Sequence, residues 1–243
     1  MKKQLIANRA AVFLLAVAFL SCQDHDVAEA VQVFKVGEEP AGLRYADLHR
    51  DQINWVFAQS PDDGPAADED GTRHSIDKQP RTDVVQIVGT FGGKSERSLV
   101  IPRDRYIFAN VYTSVYWFYD DDPCDPDFHP APGQSALDFL KESFLDLTTN
   151  STLTVTLNGK ELLTNANRAE FFTETEVFPF KPHKDFDYPD CDYSAKTAKA
   201  YSQGYDILLK LPPGSHTLVV KATNAEPGSD VFETEVLWHL TVQ

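Results

Sequence analysis

Cysteine is scarce in this chain, positive charge is in deficit, and long apolar runs are nearly missing. Three cysteines stand among 243 residues, and 22 Lys and Arg face 37 Asp and Glu, for a formal net charge of −15. An acidic excess of that size repels nucleic acid and anionic headgroups, so cations, neutral sugars and other proteins are the natural partners. No H-E-x-x-H, C-x-x-C or dinucleotide fingerprint occurs, which removes the commonest zinc, redox and nucleotide signatures. The longest apolar run, from Ala10 to Leu20, covers about eleven residues, well short of the roughly 20 that span a bilayer.

That run does fit another role. It follows Met1, Lys2, Lys3 and Arg9, as the h-region of a secretory signal follows a basic n-region. It closes on Leu20-Ser21-Cys22, which resembles a bacterial lipoprotein processing site, with Phe19 where that pattern prefers Leu. The resemblance implies a lipidated Cys22 as mature N-terminus, and an outer-membrane lipoprotein of a Gram-negative bacterium, facing the periplasm or the surface. An ordinary cleaved signal beside a stray cysteine is the alternative. Without residues 1–21 the chain loses three cations and no acid, reaching about −18, so its membrane contact has to come from lipid rather than from a basic patch. The expected organisation is a signal over 1–21, a tether over 22–43 and one domain over 44–243.

Within that domain, Arg44 to Gln59 places Tyr45, Leu48, Trp55 and Val56 near one helical face and predicts a helix. Ser60 to Arg81 is rich in Pro, Gly and Asp without apolar period and reads as a long exposed loop. From Val84 the texture is β-branched and aromatic: Val84–Phe91, Ser98–Pro102 and the almost wholly apolar Tyr106–Tyr119. The last is either a central strand buried on both faces or two strands joined at a bulge. Ser135 to Leu147 interrupts with a second helix, in which Ser135 and Asp138 form a capping box. Asn158-Gly159 supplies a type I′ turn between two strands of a hairpin over Thr152–Leu163. Tyr205–Leu211, His216–Ala222 and a closing strand with Val236, Trp238, Leu240 and Val242 on one face complete the pattern. The sum is a mostly β protein, a β-sandwich or jelly-roll-like fold with an N-terminal helix and one inserted helix.

Several of these pieces together resemble a widespread group of secreted bacterial β-rich proteins of unassigned function. They are Trp55 with Ser60-Pro61, the turn Thr90 to Gly93, the hairpin Thr154 to Gly159, and Gly214 to Thr217 with a final Trp-His-Leu-Thr-Val. The resemblance implies a secreted β-rich fold and carries no catalytic residue. That group has one cysteine in the Asp/Gly loop and another before its I/V-P. Here His74 and Leu99 stand at those places, and the double loss implies a bridge that this chain dispenses with.

Local motifs weigh against familiar chemistry. Gly92-Gly93-Lys94-Ser95 lacks the first glycine of a phosphate loop and is followed by strand texture, so it reads as a tight turn. Gly133-Gln134-Ser135 lacks the second glycine of a nucleophile elbow. Tyr112, Tyr116, Trp117 and Tyr119 are either a sugar-stacking platform, if they face outward, or core.

The chain does concentrate acids around its two remaining cysteines, in "YDDDPCDPDFHP" (Tyr119 to Pro130) and "HKDFDYPDCDY" (His183 to Tyr193). In an oxidising compartment Cys124 and Cys191 are expected to pair, closing a loop of roughly 67 residues that the chain-entropy model values at about 4 kcal/mol. The bridge would gather Asp120, Asp121, Asp122, Asp125, Asp127, Asp185, Asp187, Asp190 and Asp192. Either they splay into water or they hold a hard cation, Ca²⁺ before Zn²⁺, with no other cofactor indicated. The expected activity is binding or structural, toward a cation, glycan or protein partner. The alternative is a glycoside or other envelope hydrolase using loop carboxylates.

Overall fold

The computed structural model describes residues 30–119, 130–186, 198–224 and 231–243, and within 143–149 the backbone only. Thirteen elements matter here. The strands are β1 (Gln32–Phe34), β2 (Val84–Ile87), β3 (Gly93–Ile101), β4 (Tyr106–Phe118), β5 (Ser151–Leu157), β6 (Lys160–Thr164), β7 (Phe172–Glu174), β8 (Phe178–Phe180), β9 (Ala198–Lys210), β10 (Gly214–Asn224) and β11 (Phe232–Val242). The helices are α1 (Tyr45–Phe57) and α2 (Ala136–Thr149).

Two mixed sheets pack face to face. One runs β1-β9-β4-β2, with β7 and β8 also on β9; the other runs β3-β11-β10-β5-β6. Pairing is antiparallel except for β2 with β4 and β3 with β11. The mostly β, sandwich-like fold with one N-terminal and one inserted helix is thus the one the sequence pattern predicts. β1 lies in the stretch read as tether and pairs with β9, Phe34 opposite Leu208.

The two sheets explain two kinds of sequence. On β11 the buried Val236, Trp238, Leu240 and Val242 alternate with Glu235, Leu237, His239 and Thr241, because only one face meets the core. Glu235 on the outer face takes ion pairs from Lys94 at 2.9 Å and Lys221 at 2.8 Å. β4 and β9 are covered on both sides; β4 is accordingly apolar over most of its length, whereas β9 buries Ser202, Gln203 and Asp206 among its apolar residues. Ile107, Ala109, Ile207 and Leu209 face the sandwich core, while Phe108 and Leu208 face Tyr45 and Leu48 of α1.

Turn and cap chemistry follow the sequence as well. Asn158 and Gly159 have φ of 51° and 78°, as a type I′ turn demands. The Asp138 amide donates to Ser135 Oγ at 3.1 Å, capping α2. The Ser60–Arg81 segment departs from its expectation. It is not a uniformly exposed loop: Asp68 and His74 are 2% and 0% exposed. At those two positions polarity reflects internal hydrogen bonding, while Asp62, Asp63, Glu69 and Asp70 stay exposed.

β4 and β9 approach closely at Gly204. A Cβ there would stand 2.3 Å from the Tyr112 carbonyl oxygen and 3.0 Å from Thr113 Cα. Gly204→Ala is therefore expected to destabilise the fold by about 2 kcal/mol, read as a lower urea midpoint. An unchanged midpoint would mean that the strands part freely at this pair.

Candidate functional site

β2 accompanies β4 only as far as the pair Ile87–Ala109 and then leaves it. Past that pair the next backbone groups are held in a buried polar knot. The Val88 amide donates to His74 Nε2 at 3.3 Å. Arg97 Nη1 donates to the Val88 carbonyl at 2.9 Å and more weakly to Gly89 at 3.4 Å, and Nη2 reaches the Ala66 carbonyl at 3.3 Å. The Asp83 carbonyl accepts the Tyr106 amide, while both Gln86 backbone groups go to Gln79. By alternation the Val88 groups face away from β4 and into this knot, and Gly89 is the first residue past Ile87 that could have continued the ladder.

Most of the knot is satisfied internally, Arg97 Nε being the buried atom in it without a partner among the described residues. His74 Nδ1 donates to Asp68 Oδ2 at 2.7 Å, and Asp68 also accepts the amides of Gly71 at 3.0 Å and Arg73 at 2.9 Å. The Arg97 guanidinium lies over the Trp238 ring, 5.2 Å from its centre. Burial is the main force on His74 and pushes its pKa down to about 4, against the pull of the Asp68 carboxylate. Burial would raise Asp68, yet its hydrogen bonds from His74 and the two amides hold it well below the usual carboxylate range. Desolvation likewise pushes Arg97 down to about 10, so it stays charged at neutral pH.

The divergence of β2 opens a half-open cleft of about 210 Å³ between α1, the strap 88–91, β4 and the start of β11. Its walls are mainly Ile53, Val56, Phe57, Val88, Phe91 and Phe232. Phe91 is 51% exposed at the mouth and meets Phe57 with ring centres 6.1 Å apart. Polar groups are few. Thr90 and Thr234 share a hydroxyl hydrogen bond of 2.9 Å, and Asn110 Nδ2 bonds both Thr113 Oγ1 and Asp206 Oδ1. Gln52 is 1% exposed; its Nε2 donates to the Ile87 carbonyl at 3.3 Å while its Oε1 has no partner. A desolvated carbonyl oxygen left unpaired costs about 1–3 kcal/mol and marks a place where a donor would be welcome.

Behind the cleft, His49 Nδ1 stands 2.7 Å from Asp206 Oδ2 and Nε2 stands 2.8 Å from Ser202 Oγ. These are the distances of a serine–histidine–aspartate relay. The surroundings say otherwise. All three residues are 0% exposed, and the Ser202 hydroxyl is 2.9 Å from the Ser114 carbonyl, which can take its one proton. The trio pins α1 to β9 by satisfying polar groups that the helix buries.

The residues singled out from sequence fall in several places. Tyr112 lies in the sandwich core, accepts from Asn224 Nδ2 at 2.9 Å, and lines the cleft. Tyr116 packs toward α2, and Trp117 and Tyr119 belong to a cluster with Phe178 and Phe180. The four rings are therefore shared among three clusters. Asp185 is half-exposed and pairs with His183 at 3.3 Å. Cys22, Cys124, Cys191, Asp120, Asp121, Asp122, Asp125, Asp127, Asp187, Asp190 and Asp192 lie outside the described residues. Among the described residues no group of three His, Cys, Asp or Glu is arranged to hold a metal, and no helix is long and apolar enough to cross a membrane.

Sequence reasoning missed Gln52, His49 and the Asp68–His74–Arg97 knot. Only the first two left a trace, as polar residues on the face of α1 that carries Leu48 and Val56. No protein-family model, curated protein or solved structure matches the chain, so its functional reading stands on this geometry.

Proposed function

We propose that this chain is a lipid-anchored envelope binding module that receives an apolar group in the cleft between α1 and β4. The carrying observation is Gln52: a buried amide whose carbonyl oxygen lacks a donor, in the wall of a mainly apolar cleft. Cleft size limits the group. A cavity of about 150 Å³ holds benzene, and drug-sized ligands need about 300 Å³ or more, so 210 Å³ fits one ring or one large side chain. The signal-like N-terminus ending at Cys22 supports the anchor, and the net charge of −15 disfavours nucleic acid. The acidic segments around Cys124 and Cys191 supply solubility and a second, sequence-based cation site within the same reading.

Toluene and p-cresol, followed by amide chemical shifts, test the cleft. Both are expected to bind with Kd on the order of 1 mM, given the ligand efficiency open to so few atoms. Shifts should concentrate at Val56, Gly89, Thr113 and Thr234. p-Cresol, which brings a hydroxyl donor, is expected to bind about 5-fold tighter, a preference that Gln52→Leu removes while toluene binding survives. Shifts scattered over the surface, or none up to 10-fold above that order of Kd, would refute the cleft as a site.

A further inference from the structure

The backbone of β4 says what kind of ligand presents that apolar group. On β9, the Ser202 carbonyl accepts the Thr175 amide at 2.9 Å and the Ser202 amide donates to Thr175 Oγ1 at 3.0 Å, so both groups of Ser202 point away from β4. The Leu208 amide also turns away, donating to the Tyr45 hydroxyl at 2.9 Å. In an antiparallel ladder hydrogen-bonded pairs alternate with pairs that bond outward. Val115 is the partner of Ser202 and Thr113 the partner of Gly204, with regular register between them. Their N–H and C=O groups therefore point away from β9, along the edge that β2 has vacated.

Nothing described answers them. β2 stops at Ile87 opposite Ala109, and among the described residues no backbone group pairs with Thr113 or Val115 on that side. Both residues line the 210 Å³ cleft. Two outward residues spaced by two, about 7 Å apart, are the repeat that an added strand reads. Such an edge is ordinarily blunted or covered, because it is a template for pairing.

We propose that the ligand is an extended polypeptide segment from a partner protein, adding to the β4 edge at Thr113 and Val115 and seating one aromatic or large aliphatic side chain in the cleft. It takes the course that β2 leaves at Ile87, opposite Ala109. Backbone pairing supplies affinity and the Phe57–Phe91–Phe232 pocket supplies the choice of side chain, the division of labour usual in strand addition. Basic flanks suit the acidic host by steering the encounter. This inference rests on the cleft reading and narrows it from an apolar group to a main chain.

The probe is the peptide acetyl-KTVFVTK-amide, with two N-methylated isomers, one methylated at odd positions and one at even. A strand bonded along one edge uses every second N–H. One isomer is therefore expected to lose binding by ~10-fold or more, about one hydrogen bond's worth, while the other stays near the parent. In the complex, the Thr113 and Val115 amides are expected to gain at least ~10-fold protection from hydrogen exchange. If toluene occupies the cleft but the peptide binds no better, or if both isomers behave alike, strand addition is overturned and the cleft reading stands. If neither toluene nor peptide binds, both readings fall together.

Discussion

Arg97→Ala is expected to cost about 4 kcal/mol and to lower the melting temperature by about 10 °C. The guanidinium is fully buried, and three of its hydrogen bonds go to carbonyls at Val88, Gly89 and Ala66. The hydrogen bonds to Val88 and Ala66 are buried, so two acceptors lose their donor away from water at about 1–3 kcal/mol each, while Gly89 borders the cleft. Truncation also empties space beside Trp238, whose ring the guanidinium covers. Arg97→Met separates the two contributions. It keeps most of the volume and removes the donors, and is expected to cost about 2–3 kcal/mol. Urea melts of both variants at pH 7 give the numbers directly. A loss below about 1 kcal/mol for Arg97→Ala would mean that water enters and replaces the guanidinium, and that the knot contributes little to holding Ala66 and Val88 in place.

The same knot shows why the sequence was legible in one half of the molecule and silent in the other. β10, β11 and the β5–β6 hairpin declare themselves through period-two alternation and through Asn158-Gly159, because each strand has one wet face and a locally encoded turn. β4 declares its burial and leaves a bulge open as an alternative, but not the place of that bulge between Asn110 and Tyr112, since an unbroken apolar run carries no phase information. The loop of Ser60–Arg81 misleads for a related reason. Asp68 and His74 resemble solvated residues until the fold brings Arg97 beside them, some 23 positions beyond His74. Polar residues that satisfy one another through tertiary contact leave no periodic trace. The open edge at Thr113 and Val115 is further out of reach. It depends on where β2 stops pairing, and therefore on register, which composition cannot supply.

Acidification is expected to remove about 3 kcal/mol of stability between pH 6.5 and 4 through His74 alone. The free imidazole titrates near 6.5 and the folded one near 4, because burial disfavours the charged ring. A depressed histidine pKa means that the unfolded chain binds the proton more readily than the native one. Its contribution is therefore whole above pH 6.5, declines as pH falls from 6.5 to 4, and levels off below. The gap of about 2.5 pH units, at about 1.4 kcal/mol each, sets the size. The groups facing the ring agree with that sign. Arg97 stays cationic throughout the range and repels a protonated neighbour, and the Val88 amide donates to Nε2, which must lack a proton to accept it. Asp68 favours the charged ring, but its own pKa lies lower still, so its titration adds a further loss only under more acidic conditions. His74→Gln keeps one donor for Asp68 and one acceptor for Val88 without a titrating group. Urea melts of both proteins at pH 7, 5.5 and 4 cancel the remaining histidines and carboxylates in the difference. That difference should shrink by about 3 kcal/mol across the range. A constant difference would mean that the folded ring titrates like the free one, and a growing difference that it enters the fold charged, as an ion pair with Asp68; either result would overturn the neutral Nε2 that accepts the Val88 amide.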